Sequence, residues 1–338
     1  MIGLIFPVFL QTLWGALADR IGRKTVIMSA TMASAVISGL YPHASSFIQF
    51  SLLGLLWYSF LAAATTVTPA LAMDIAGSVP VGRRFGTYRI SGSIGWITST
   101  AIGGLVAESL GIEVVFYLAT LLYLASTIFV QISISNQPSR KNEGNTYGDF
   151  HQLIRNRNFA IFLATIFMAN ISAVTFLSFL SLYVSKLGGS DSVIGWAFSI
   201  AAIAEVPSMI YLGGLSDKIG RKPLLVIALF SYPLRLFLYT IVIAPSLVLP
   251  VQLLHGLTFG LFYVTSIALV SDVTSESRGI ALGLYSTASS AGSAVGSALA
   301  GVIEDSYGLI NMYRFMTVFS FMPALLFMLT AKETLRNR

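Results

Sequence analysis

Three ionisable side chains lie deep inside long apolar runs of this chain. They are Glu205 in SVIGWAFSIAAIAEVPSMIYLGG, Arg235 in LLVIALFSYPLRLFLYTIVI and His255 in VLPVQLLHGLTFGLFYV. Ionisable groups in such surroundings cost about 2.5 kcal/mol or more and mark proton or solute pathways. Counting 1.5 Å per residue from the inner end of each run puts Glu205 about 17 Å deep, Arg235 about 18 Å and His255 about 24 Å. The spacing predicts Glu205 and Arg235 level near the midplane, with His255 one turn higher. A guanidinium keeps its proton and needs a counter-charge, and Glu205 is the carboxylate available at that depth. Protonating Glu205 would free Arg235 or set it against an anionic solute, which makes the pair a proton switch. The bland alternative is a buried ion pair that only holds the second half together.

A second charged feature is written twice. GALADRIGRK at 15–24 returns as GGLSDKIGRK at 213–222, with Asp19 and Asp217 offset by 198 residues. Gly15, Gly22, Gly213 and Gly220 permit tight reversals or close backbone approach. Asp19 and Asp217 can face the positive end of a neighbouring helix. Arg20 and Lys218 follow the two aspartates. Arg23, Lys24, Arg221 and Lys222 can reach Asp74 and Asp272, which keep the same 198-residue offset and end apolar runs. These residues read either as topology anchors or as a cytoplasmic gate. The repeated acidic partners favour the gate, since an anchor would not require them.

The elements that must position these groups follow from composition. The chain has 338 residues, 55% of them hydrophobic and 10% charged, with mean hydropathy +0.80. Soluble domains carry roughly 25% charged residues, so lipid is the expected solvent. Eleven apolar spans are predicted, at 1–17, 25–43, 47–72, 87–107, 113–134, 159–184, 192–215, 223–243, 248–271, 279–302 and 311–330, each of a length able to cross the hydrocarbon core. A polar stretch at 136–158 reads as a cytoplasmic linker. It separates an N-terminal bundle, 1–135, from a C-terminal bundle, 159–331, and residues 332–338 form a cytoplasmic tail. With the decapeptides inside, 17 of the 20 basic residues fall on the inner side, as orientation by Lys and Arg requires. The net charge of +6 is therefore topology, and nucleic acid is excluded as a partner. There are no cysteines, and no metal cluster, nucleotide loop or nucleophile–base pair is present, so neither cofactor nor enzyme activity is expected.

Glycine-rich stretches at 91–111 and 290–308 repeat at an offset of 197. The chain thus reads as a parallel duplication of the kind built into two-bundle transporters. The second half carries one helix more than the first, so the parent architecture has twelve helices and this chain supplies the last eleven. The expectation is an all-α polytopic membrane protein of two pseudo-symmetric six-helix bundles with the first helix absent.

The duplicated pattern Gly-x-Leu-x-Asp-Arg/Lys-x-Gly-Arg-Lys resembles the signature loop of major facilitator superfamily transporters, and the resemblance covers the whole chain. QLLHGLTFGLFYV at 252–264 and EVP at 205–207 look like the proton symporters related to the lactose, nucleoside and phenylpropionate permeases. The resemblance implies the major facilitator fold in the cell membrane, acting as a monomer. It also implies that the signature loops clamp the cytoplasmic side. In lactose-permease-type symporters an Arg on the ninth helix and a His and a Glu on the tenth serve coupling and binding. Arg235 and His255 match; one turn after His255 this chain has Thr258, so Glu205 must carry the proton. Drug antiporters of the superfamily have a Gly-Pro pair on the fifth helix, and residues 87–111 contain no proline.

By the 198 offset Trp57 is the counterpart of His255, and the resemblance places both their helices on the central cavity. An indole opposite an imidazole suggests a site for a ring, with Tyr58, Thr65, Tyr263 and Thr265 as neighbours and Asn170 as a further polar candidate. Mere packing of Trp57 between helices is the alternative. The function expected is secondary active transport of a small ring-containing organic solute by alternating access and proton symport, with sodium as the other possible ion. Proton-driven efflux of amphipathic compounds is one rival. A non-transporting truncated paralogue is the other.

Overall fold

The computed structural model describes residues 10, 13, 14, 17, 18, 20–75, 81–134, 153, 155–273 and 278–334; side chains at 69, 70, 72–75, 81–90, 273 and 278–280 lie outside that description. Gly15 and Asp19 are outside it, as is the side chain of Asp74. Among the described residues the regular structure is helical. The helices are α1 (Arg23–Leu40), α2 (Phe47–Ile75), α3 (Val81–Leu110), α4 (Ile112–Ser133), α5 (Arg157–Ser178), α6 (Leu180–Lys186), α7 (Asp191–Ile219) and α8 (Arg221–Tyr239). A composite rod, α9, follows as four stretches: α-helical Val248–Val251, 3-10 Gln252–Leu254, π-helical Gly256–Leu261 and α-helical Phe262–Val273. Then come α10 (Arg278–Tyr307) and α11 (Leu309–Thr330).

Eight of these segments are long and apolar enough to cross a membrane. The helices α3 and α10, 30 residues each, are rich in glycine and serine. Such small residues let helix backbones approach closely. The duplication is also written in the backbone. Gly22 and Gly220 precede α1 and α8 with φ 93° and 108°, and Gly111 and Gly308 precede α4 and α11 with φ 93° and 81°. A side chain at these positions would be strained, so the same turn recurs at each offset read from the sequence.

The chain forms two compact units: Met1–Gly95 with Leu105–Glu143, and Trp96–Gly104 with Gly144–Arg338. The division departs from the linker boundary in α3, where Trp96–Gly104 belongs to the second unit. There Thr100 Oγ1 and Ser199 Oγ of α7 share a 2.8 Å hydrogen bond, and Gly104 Cα lies against Gly195. In the first unit α1 packs between α2 and α4. Thr31 and Thr127 hydroxyls meet at 2.7 Å, and Tyr41 stacks on Phe116 at 4.8 Å.

The second unit has the larger core. Phe159, Phe162, Leu225, Leu229, Leu236, Met312 and Met316 are all within 1% of full burial. Two glycine contacts set its tightest crossings. Gly292 and Gly296 of α10 lie on the backbone of α5, where an added methyl would collide with the carbonyls of Phe167 and Ile171. Gly256 and Gly260 of α9 lie on α7, with Gly260 leaving only 2.9 Å between an added methyl and the carbonyl of Glu205. That second crossing brings the His255 and Glu205 backbones close enough for their side chains to meet.

Candidate functional site: a polar centre and an arginine–carboxylate cluster

The structure places Arg235 at the heart of the second unit, 1% exposed. Its Nη1 donates to His255 Nδ1 at 2.9 Å and to Thr258 Oγ1 at 2.9 Å, and its Nη2 donates to Gln252 Oε1 at 2.7 Å. Its Cζ lies 4.1 Å above the ring of Phe176 from α5, a cation–π contact in an apolar setting. His255 Nε2 faces Glu205 Oε2 at 3.9 Å. Glu205 is 6% exposed.

This corrects the expected Glu205–Arg235 ion pair. Among the described residues Arg235 makes its polar contacts with α9 alone, and His255 stands between the guanidinium and the carboxylate. A π-helical stretch, Gly256–Leu261, follows His255 on α9, and bonds from i to i+5 hold more residues per turn than an α-helix.

The proton positions follow from donor chemistry. Arg is donor-only, so each atom it touches must accept. His255 Nδ1 is then unprotonated, and a neutral ring carries its proton on Nε2, toward Glu205. The Gln252 oxygen must face Arg235, and its amide nitrogen donates to Tyr239 Oη at 2.8 Å. Thr258 passes its own proton to the carbonyl of Leu254 at 3.1 Å. A second proton on His255 would sit on Nδ1 and meet the Arg235 donor head-on. Imidazolium and the Arg235–His255 bond exclude each other.

A ring ladder runs down the same rod. His255 stacks on Phe259 with centroids 5.1 Å apart and planes 5° off parallel, and Phe259 on Tyr263 at 5.8 Å and 7°. All three are half-buried. Phe259 escaped the sequence reading, although its place four residues from both His255 and Tyr263 would have revealed it. Of the other ring-site candidates, Trp57 and Tyr58 form an edge-on pair at 5.2 Å in the first unit, where Thr65 bonds back to the Leu61 carbonyl at 2.9 Å. Asn170 is engaged between helices: its oxygen accepts from Ser289 at 3.0 Å and its nitrogen donates to the Ile166 carbonyl at 2.8 Å. Thr265 departs from expectation. It is fully buried, because two residues beyond Tyr263 the helix has turned about 200°.

Arg221, at the start of α8, gathers the second signature loop. Its Nε donates to Asp272 Oδ2 at 2.8 Å, and its Nη1 lies 2.7 Å from Ser216 Oγ and 2.5 Å from Asp217 Oδ1. Gly213 lies against Val264 of α9, and Lys218 is exposed. The helix start itself is capped from the C-terminal segment: Glu333 accepts from the backbone N–H groups of Arg221 and Lys222, each at 3.0 Å. A carboxylate there complements the positive helix end. Nothing in the sequence pattern foretold Glu333. In the first unit Arg20 is exposed, Arg23 stands at the first position of α1, and Lys24 donates to the Gln131 carbonyl of α4 at 2.8 Å. If these residues gate transport as expected from the sequence, Asp272→Asn slows solute transport about tenfold at unchanged membrane abundance, the equivalent of about 1.4 kcal/mol. Initial rates normalised to immunoblot signal check this, and an unaltered rate would reduce the cluster to an anchor.

A family model described as MFS_1 like family matches residues 2–315. An MFS-type transporter of Methanocaldococcus jannaschii, itself named as uncharacterized, is 25% identical, the match spanning 94% of this chain and 86% of that protein. The multidrug resistance protein MdtG of Salmonella arizonae is 28% identical over 91% of this chain and 78% of its own length. Two crystal structures of the nucleoside transporter NupG superpose with TM-scores of 0.82 and 0.79 at 17% identity, covering 97% and 98% of this chain and 90% and 89% of theirs. At that identity the likeness to NupG is one of fold.

Proposed function

Because this chain belongs to the MFS_1-like family of membrane transporters, which are not enzymes, we propose that it takes up a small ring-containing organic solute by alternating access and proton symport. The observation that carries the reading is His255, held between Arg235 and Glu205 with its protons assigned by donor chemistry. A proton arriving at the centre can rest on Glu205 or on His255. On His255 it expels Arg235 from Nδ1, and the helices that carry the two groups, α8 and α9, lose a contact. A proton is thereby exchanged for a change in helix packing, which is what coupling needs. The ladder of His255, Phe259 and Tyr263 supports a planar ring as cargo. Proton is the favoured coupling ion, because the buried centre is built around an imidazole. The Arg221–Asp272 latch supplies the cytoplasmic gate.

The kinship with MdtG favours a second reading, proton-driven efflux of amphipathic compounds. Reconstitution separates the two. In proteoliposomes that are acidic outside, symport predicts uptake of uridine or phenylpropionate above equilibrium, abolished by a protonophore. Efflux predicts instead that ethidium moves against the imposed proton gradient. Uridine and phenylpropionate indifferent to the gradient, with ethidium driven by it, would replace the first reading with the second.

A further inference from the structure

Gln252 has no part in the coupling reading above, yet it is completely buried and both ends of its amide are used. The oxygen accepts from Arg235 Nη2 at 2.7 Å; the nitrogen donates to Tyr239 Oη at 2.8 Å, with the Val248 carbonyl further off at 3.4 Å. The amide cannot be turned over, since Arg235 accepts nothing. Gln252 therefore ties the guanidinium to a tyrosine that is itself fixed. Tyr239 is fully buried, its carbonyl accepts from Tyr183 Oη at 2.6 Å, and its ring packs against Tyr183 at 5.4 Å and Tyr313 at 5.1 Å.

A guanidinium is a rigid planar fork. Fixing Nη2 fixes the plane, and with it the direction of Nη1. Among the described residues the groups around Arg235 come from several elements: Phe176 from α5, Tyr232 and Tyr239 from α8 itself, Gln252, His255 and Thr258 from α9, Tyr313 from α11, Tyr183 from α6 through the Tyr239 ring, and Glu205 from α7 through His255. Gln252 is the member whose two contacts both serve to orient.

We propose that Gln252 is a positioning residue of this centre: it pins Arg235 so that Nη1 occupies His255 Nδ1, and so fixes the neutral imidazole as the Nε2–H tautomer that faces Glu205. The inference rests on the coupling reading for its use, but not for its test. Which nitrogen of a histidine carries the proton is set by what the other nitrogen meets. Here that is an arginine held at its far corner by an uncharged amide. The amide fixes direction without adding charge.

The chain contains three histidines, His43, His151 and His255, so nitrogen NMR of the full chain in nanodiscs, labelled on histidine with nitrogen-15, can resolve the tautomer. His255→Asn assigns the signal. At alkaline pH the wild-type His255 is expected as Nε2–H. Gln252→Met keeps the volume and removes the acceptor, and its His255 signal is expected to move to a mixture of both tautomers. Gln252→Glu restores an acceptor oxygen and is expected to restore the Nε2–H form. A monodisperse size-exclusion profile and an unchanged helical circular dichroism spectrum show that each variant is folded. A Met variant whose His255 tautomer equals the wild type would overturn the proposal, as would a wild type in the Nδ1–H form. Neither result bears on whether uptake is proton-driven, which the liposome measurement decides separately.

Discussion

Glu205→Gln is expected to abolish gradient-driven accumulation while leaving solute exchange at equilibrium. The substitution keeps size and polarity but removes the only acid within reach of His255 Nε2 among the described contacts of that nitrogen. A pH gradient of about two units supplies about 2.7 kcal/mol per proton, enough for about 100-fold accumulation at one proton per solute. The variant should therefore fall from about 100-fold to no accumulation, since the centre can no longer release the proton it must carry. Internal and external uridine or phenylpropionate, measured in proteoliposomes with and without the gradient, give the ratio directly. Accumulation equal to wild type would show that the cluster is structural and that coupling lies elsewhere.

The second large effect concerns stability. Gly296→Ala should lower the thermal unfolding midpoint of the detergent-solubilised protein sharply, whereas Gly283→Ala, on the same helix but with nothing within 4 Å of the added methyl, should leave it nearly unchanged. At Gly296 the new methyl would collide with the Ile171 carbonyl and stand 2.7 Å from the Ile171 Cα. These are backbone atoms that cannot rotate away, so α10 must lift off α5. Overpacking of this kind costs about 3 kcal/mol or more. The lift would also strain the Ser289–Asn170 hydrogen bond seven residues earlier on α10. Fluorescence-detected size exclusion after heating measures both variants. Equal midpoints would mean that the α5–α10 crossing is looser than described.

How far the sequence disclosed this site depended on what kind of constraint each residue obeys. Arg221 and Asp272 were legible because the decapeptide and its acidic partner recur at one spacing, and a repeat exposes any position that both halves must keep. Glu205, Arg235 and His255 were legible because charge in an apolar run is conspicuous. Their order was not: the ion pair drawn between Glu205 and Arg235 rested on depth, and depth along a run does not say which side chains on neighbouring helices face each other. Gln252 stayed hidden because one amide beside two leucines carries no pattern. Glu333 stayed hidden because its partners are 111 and 112 residues away in a chain whose tail looked merely polar. Thr265 was misjudged by treating nearness in sequence as nearness in direction.

One rod, α9, carries His255 in its first half and Asp272 next to its last residue, with Gly256–Leu261 in between. Each residue of an α-helix advances about 100° around the axis. A π-helical turn holds a surplus residue within about one turn, because i to i+5 bonding gives each residue less rotation. Deleting one residue within 256–261 is thus a different operation from deleting one elsewhere between His255 and Asp272: the first takes up the surplus and keeps the two residues at nearly the same angle to each other, whereas the second turns one against the other by about 100°.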